Sequence, residues 1–262
     1  MRASEYVAMT YYVYFAVVCW LGRVPLARRV LITAVSLLMV ATVAVVASVE
    51  NRLRDWAPAL YILVGYYLSG WIFVHPSARV EAWLLAWDQR LLGDPTTRFS
   101  AWPPLVLAYL DLVYTLCFLL LPAGFTALVV AGRSDLADRY WTIVAASEFC
   151  AFMPLAFVQT RPPWVLERKA DLPDGAVHRL ASHAVRRVSI GVNTFPSGHA
   201  AGSVGLALAL SGPLPWTGAV LLVLAGTIAN ACVVGRYHYV VDVVAGIALA
   251  LGVWMATSAA GL

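Results

Sequence analysis

The residues best suited to chemistry lie in two short segments of the chain. The first is Thr194-Phe195-Pro196-Ser197-Gly198-His199, where a charged stretch meets an apolar one. Ser197 is a natural N-cap. A helix starting here would point unpaired N–H groups and its positive dipole end outward, an arrangement that suits a phosphate, with His199 standing beside it. The structural alternative is a capped helix start with an incidental interfacial histidine.

The second segment is Gly235-Arg236-Tyr237-His238-Tyr239-Val240-Val241-Asp242. Its histidine and aspartate are four residues apart, so on one helix they would share a face and hydrogen bond. A carboxylate on one ring nitrogen fixes the tautomer and leaves the other free to attack or to exchange a proton. The structural alternative is a His–Asp bond that only holds the helix end; an acid at a membrane edge is costly without such a partner.

The elements around these segments must be membrane helices. Hydrophobic residues make up 61% of the 262-residue chain and charged residues 12%, against roughly 45–50% and 25% in soluble domains. A crossing helix needs about 20 apolar residues, and uncharged or nearly uncharged runs occupy 6–22, 30–49, 56–74, 112–132, 140–160, 199–235 and 243–262. Pro213 and Pro215 cannot continue a helix, so they split 199–235 in two and make eight spans. The expected fold is all-α, a polytopic transmembrane bundle rather than a barrel, whose strands would read as short alternating segments. The first run has no small-residue cleavage site and is expected to remain in the mature chain.

The spans on either side of the Pro213/Pro215 turn return the chain to the face it left, so His199 and His238 share one side of the membrane with Arg161. The planar guanidinium of Arg161 suits phosphate oxygens. Two connections are long enough to carry function, 75–104 and 161–197. In the first, Val80, Trp83, Leu84, Trp87 and Leu91 recur at helical spacing, which predicts an amphipathic helix over about 77–92, in the interface or folded onto the bundle. The second carries Arg168, Lys169, Arg179, Arg186 and Arg187 with His178 and His183, among Glu167, Asp171 and Asp174, and most of these charges are expected simply to be solvated.

The chain resembles the type 2 phosphatidic acid phosphatase superfamily, whose pattern is Lys, six residues, Arg-Pro; then Pro-Ser-Gly-His; then Ser-Arg, five residues, His, three residues, Asp. The middle block matches fully. The last keeps His238 and Asp242, but Cys232 stands at the family's arginine and Arg236 lies two residues before the histidine. The first keeps Arg161-Pro162 with Pro154 at the lysine. These departures look like the branch of inositol phosphorylceramide synthases and their bacterial relatives, which includes transferases that pass a phospho-headgroup to an alcohol.

The resemblance covers residues 56–262. It implies a six-helix catalytic core there, with residues 1–55 forming two additional N-terminal helices. It implies a lipid or isoprenoid phosphate substrate among membrane lipids, in a bacterial plasma membrane, and phosphatase or phosphotransferase activity without cofactor or metal. Carried over residue by residue, it implies His238 as the nucleophile that forms a phosphohistidine and Asp242 as its orienting partner. His199 would act as acid and then base. Arg161, Arg236 and the N–H groups of Ser197, Gly198 and His199 would bind the phosphoryl oxygens. The sequence itself offers no third ligand beside His238 and Asp242, and its four cysteines are scattered singly, so neither a metal cluster nor a disulfide framework is indicated. The net charge of +4 suits lipid headgroups, and no basic run points to nucleic acid.

Two intramembrane acids, Asp111 and Glu148, could pair with an arginine, be protonated, or bond a Tyr or Thr on a neighbouring helix. The alternative from another class is a non-catalytic lipid-binding protein or transporter with a degraded site, given Pro154 and Cys232.

Charge counting and resemblance disagree about orientation. Eight spans place five Lys/Arg on the face of the N-terminus and thirteen on the face of the site. The positive-inside rule then makes the site cytoplasmic, whereas the resemblance implies an extracytoplasmic one. With Asp174→Cys and Ser134→Cys made singly in a background lacking native cysteines, a membrane-impermeant maleimide on intact cells is expected to label the Ser134 position alone. Labelling of the Asp174 position alone would reverse the orientation.

Overall fold

A computed structural model describes residues 1–49, 52–166 and 189–262. The charged residues of the second long connection from Glu167 to Arg187, including its two histidines, lie outside the described residues. Among the described residues the chain is all-α, with eleven α-helices. They are α1 Ala3–Val18, α2 Leu26–Ala47, α3 Arg52–Gly70, α4 Ala78–Leu92, α5 Pro95–Ser100, α6 Pro104–Val130, α7 Ala137–Phe152, α8 Pro163–Leu166, α9 Gly198–Ser211, α10 Pro215–Val234 and α11 Val240–Ala259.

Eight of these occupy the expected runs, and the differences in their ends have local causes. α7 stops at Phe152 rather than continuing to 160, because Pro154 has no N–H to donate and the chain tightens into a 3-10 turn, Met153–Ala156. Toward its own start, α6 extends past Asp111 to Pro104, because proline is well placed in a helix's first turn. Pro215 begins α10 in the same way, after the expected turn.

Four helices, α2, α6, α10 and α11, are long and apolar enough to cross a membrane. Large side chains on them face outward, Leu38, Val130, Trp216 and Val223 among them, which places this chain in a membrane because such a surface needs lipid. The interior reverses the pattern: Ser36, Ser69, Asp111, Ser147 and Glu148 are buried. α7 and α9 pack together at the centre, with α1 and α3 against α7, α6 and α10 against α9, and α11 against both. At 14 residues α9 rises about 21 Å, short of the ~30 Å hydrocarbon layer. Its neighbours make that tolerable, because non-helical backbone at membrane depth is stable only inside protein.

Side-chain contacts fix which helix ends lie together. Asp138 of α7 accepts the N–H groups of Ala3 and Ser4 at 3.0 and 2.9 Å, while Glu5 pairs with Arg54 at 2.6 Å and Arg2 with Asp55 at 2.7 Å. Arg139 reaches Ser258 at the end of α11. The N-terminus, the start of α3, the start of α7 and the C-terminus of α11 therefore share one end, and Arg161, His199 and His238 lie at the other.

Candidate active site

Three stretches of chain meet at that other end. Thr160 bridges to Asn193, whose N–H donates to the Thr160 carbonyl at 2.9 Å. Trp164 N–H donates to the Arg236 carbonyl at 3.1 Å, and the Tyr239 hydroxyl to the Arg161 carbonyl at 3.0 Å. Ser197 N–H donates to the Asp242 carbonyl at 2.9 Å. This last contact brings α11 so close that a Cβ on Gly246 would sit 2.5 Å from the Ser197 carbonyl oxygen. Glycine alone fits there.

Within this frame the two histidines come together. His238 Nε2 lies 3.4 Å from His199 Nδ1, and both rings line one cavity of about 160 Å³. Tyr114 stacks on His199 at 4.6 Å and on Tyr237 at 3.9 Å, while Phe118 meets the His199 ring edge-on at 5.0 Å. His199 opens α9, and the Ser197 hydroxyl accepts the Ala200 N–H as the N-cap, as the sequence indicates. Burial pushes the His238 imidazole well below its ordinary range and favours the neutral ring, the form with a lone pair to offer.

His238 and Asp242 do not share a helical face as their spacing implies. Tyr239 caps α11, so His238 sits in the loop before it. Its Nδ1 is still 3.6 Å from Asp242 Oδ2, which also accepts the Tyr239 N–H at 3.0 Å. That separation exceeds a hydrogen bond, as is common for catalytic pairs before substrate tightens them. His199 Nε2, His238 Nδ1 and Asp242 Oδ1 are buried without hydrogen-bond partners among the described residues. Such atoms clustered in one place mark a site built for another molecule.

The expected phosphate ligands are placed less simply. Arg161 is gripped by Glu81 of α4 through both of its carboxylate oxygens, at 3.0 and 2.8 Å, and these bonds hold Glu81 below its ordinary range. Arg236 is buried, takes a left-handed φ of 58°, and pairs with Asp88 of α4 at 2.8 Å. Neither guanidinium lines the histidine cavity. The Ser197 amide serves Asp242, and the Gly198 amide donates to the Thr194 hydroxyl at 3.2 Å. That leaves the His199 N–H as the donor of this turn with no acceptor among the described residues. Asp111 accepts a bond from the Tyr237 hydroxyl at 3.1 Å, and Glu148 lines the cavity.

The pattern of His and Asp on a capped turn, at one end of an apolar bundle, extends to a family model, which matches residues 82–256 and is described as the PAP2 superfamily. The chain belongs to the PAP2 superfamily. Membership supports a phosphatase or phosphotransferase acting on a lipid phosphate, since the superfamily's enzymes are in general phosphoric ester hydrolases. No curated protein and no solved structure matches the chain.

Glu81 and Asp88 are missed by sequence reasoning, although their spacing gave a signal. They are seven residues apart, two turns of α4, and so share a face. Asp88 also accepts the Val240 N–H at 2.9 Å, so one carboxylate holds both ends of the loop that carries His238. Asp88→Asn is expected to lose stability, because breaking a buried ion pair costs roughly 3–5 kcal/mol, and with it turnover. The double replacement Asp88→Leu with Arg236→Met should recover the melting midpoint in detergent but not the rate. Full turnover by that pair would remove the clamp from function.

Proposed function

We propose that the chain is a metal-independent lipid phosphate phosphatase or phosphotransferase working through a phosphohistidine on His238. The observation that carries this reading is the approach of His238 Nε2 to His199 Nδ1 in one cavity, with Asp242 behind His238 Nδ1. In the first step His238 Nε2 bonds to phosphorus as the bond to the lipid oxygen breaks, and His199 gives that oxygen its proton. In the second, a water or alcohol oxygen bonds to phosphorus, the P–N bond breaks, and His199 takes the acceptor's proton. Asp242 keeps the His238 proton on Nδ1 throughout.

Little covalent work is asked of the other residues, because phosphoryl transfer depends on position and on countering charge. The His199 N–H at the start of α9 is aimed for this, with the Ser197–Gly198 turn behind it. Arg161 and Arg236 contribute positive field from their carboxylate clamps, or reach the phosphate once substrate competes for them. The catalytic core is residues 56–262, which contain the matched region. Residues 1–55 are a two-helix addition whose α1 packs on α7 through Tyr11 stacked on Phe149 at 4.0 Å. α4 lies in the interface, and the site faces the cytoplasm of a bacterial cell by the excess of positive charge at its end. An alcohol acceptor, as in inositol phosphorylceramide synthases, is the second reading, favoured by the Arg161-Pro162-Pro163-Trp164 and His238-Tyr239 sequences.

Purified protein with EDTA present is expected to release inorganic phosphate, or a new phospholipid when an alcohol is supplied, from a panel of lipid and isoprenoid phosphates. His199→Ala and His238→Ala should each lower the rate by at least about a thousandfold, the scale of losing a nucleophile or its acid, while eluting from size exclusion as wild type does. Loss of activity in EDTA that zinc or magnesium restores would overturn the metal-independent reading.

A further inference from the structure

The mechanism above uses neither Asp111 nor Glu148, and whereas Asp111 accepts from the Tyr237 hydroxyl, Glu148 faces the cavity. It sits one turn before the C-terminal end of α7, is only 8% exposed and has no hydrogen bond or ion pair among the described residues, although a buried polar group left without partners is costly. It lines the same cavity as His199 and His238. Its place is made by glycines on α9: a Cβ on Gly202 would overlap the carboxyl group, and one on Gly198 would lie 3.1 Å from Oε2. The carboxyl group therefore rests on the first turns of α9, close in sequence to His199.

The cavity's volume of about 160 Å³ compares with a share of about 30 Å³ per water in the liquid. A group of headgroup size fits beside the imidazoles, while a lipid chain must lie elsewhere. A buried carboxyl group on that wall needs hydrogen-bond partners, and the reaction's second step needs an oxygen nucleophile. A molecule with two or more hydroxyls supplies both, one held by Glu148 while another faces the phosphoryl group.

We propose that Glu148 is the acceptor-binding residue of this site and selects a small polyol, or a polyol headgroup, as the second substrate. The inference rests on the phosphohistidine reading and names the acceptor that the reading leaves open. In the second half-reaction one polyol oxygen bonds to phosphorus, the P–N bond breaks, His199 takes that hydroxyl's proton, and Glu148 accepts a hydrogen bond from a neighbouring hydroxyl.

The test uses purified full-length protein, dodecyl phosphate as donor and glycerol as acceptor, and reads dodecanol, inorganic phosphate and glycerol phosphate together. The ratio of glycerol phosphate to inorganic phosphate is internal to each sample and independent of how much protein is folded. Wild type is expected to form glycerol phosphate. Glu148→Leu should lower the ratio about tenfold, the effect of about 1.4 kcal/mol, because it leaves the acceptor's neighbouring hydroxyl without a hydrogen-bond partner. Gly202→Ala, which pushes the carboxyl group aside, should lower it in the same direction. Gly226→Ala on α10, where a Cβ meets nothing within 4 Å, should leave it unchanged.

An unchanged ratio in Glu148→Leu and Gly202→Ala overturns the inference, as does wild type that releases dodecanol but forms no glycerol phosphate. Loss of dodecanol release in both variants with Gly226→Ala intact places Glu148 in the first half-reaction and also overturns it. Wild type that releases no dodecanol, here or from the lipid panel, instead sinks the phosphohistidine reading itself.

Discussion

Asp88 is 1% exposed, and a carboxylate taken so far out of water must recover its lost hydration from within the protein. It does so by accepting from the Arg236 guanidinium and from the Val240 N–H, the two ends of the loop carrying His238. Much else depends on this constraint. Arg236 holds a left-handed backbone that costs an ordinary residue roughly 1–2 kcal/mol, and its buried guanidinium pairs with Asp88. Seven residues earlier on the same helix, Glu81 does the corresponding work for Arg161, accepting both its side chain and its backbone N–H. α4 thus ties the end of the 3-10 turn region to the start of α11, and the histidine loop is stretched between fixed points.

The rest of the site follows from packing against that fixed loop. α11 can approach the Ser197 turn because Gly246 has no side chain, so Asp242 and Ser197 are joined through the backbone. Tyr114 and Phe118 of α6 then close on His199 from one side, which leaves the ring a single orientation toward His238. The result is two imidazoles converging on one point with their remaining polar atoms unfilled. Enclosing the short helix α9 allows this to happen below the ends of its longer neighbours without exposing loop backbone to lipid.

Much of this was legible in the sequence, and the failures have physical causes. The eight helical runs, the Pro213/Pro215 turn and the Ser197 cap rest on local rules about apolar length, missing N–H groups and capping oxygens, which tertiary packing did not override. His199, His238 and Asp242, singled out by type and spacing, are brought together by the fold. The last two do not share a helical face, because the cap of α11 falls between them and a boundary shift of two residues changes which side chains share a face. Glu81 and Asp88 stayed hidden because an amphipathic helix uses charge for solvation in most cases, and only the fold reveals that their face is turned inward. Tyr114 and Phe118 carried no signal at all within an apolar span.

The central claim is that His238 accepts the phosphoryl group. Its most direct test is to mix the protein with a lipid phosphate donor labelled at phosphorus, quench it at alkaline pH, where phosphohistidine survives, and map the label by peptide mass spectrometry. The account predicts label on the peptide containing His238 and its absence in His238→Ala. Label on His199 or on any other residue, or turnover with no labelled protein at all, would contradict it.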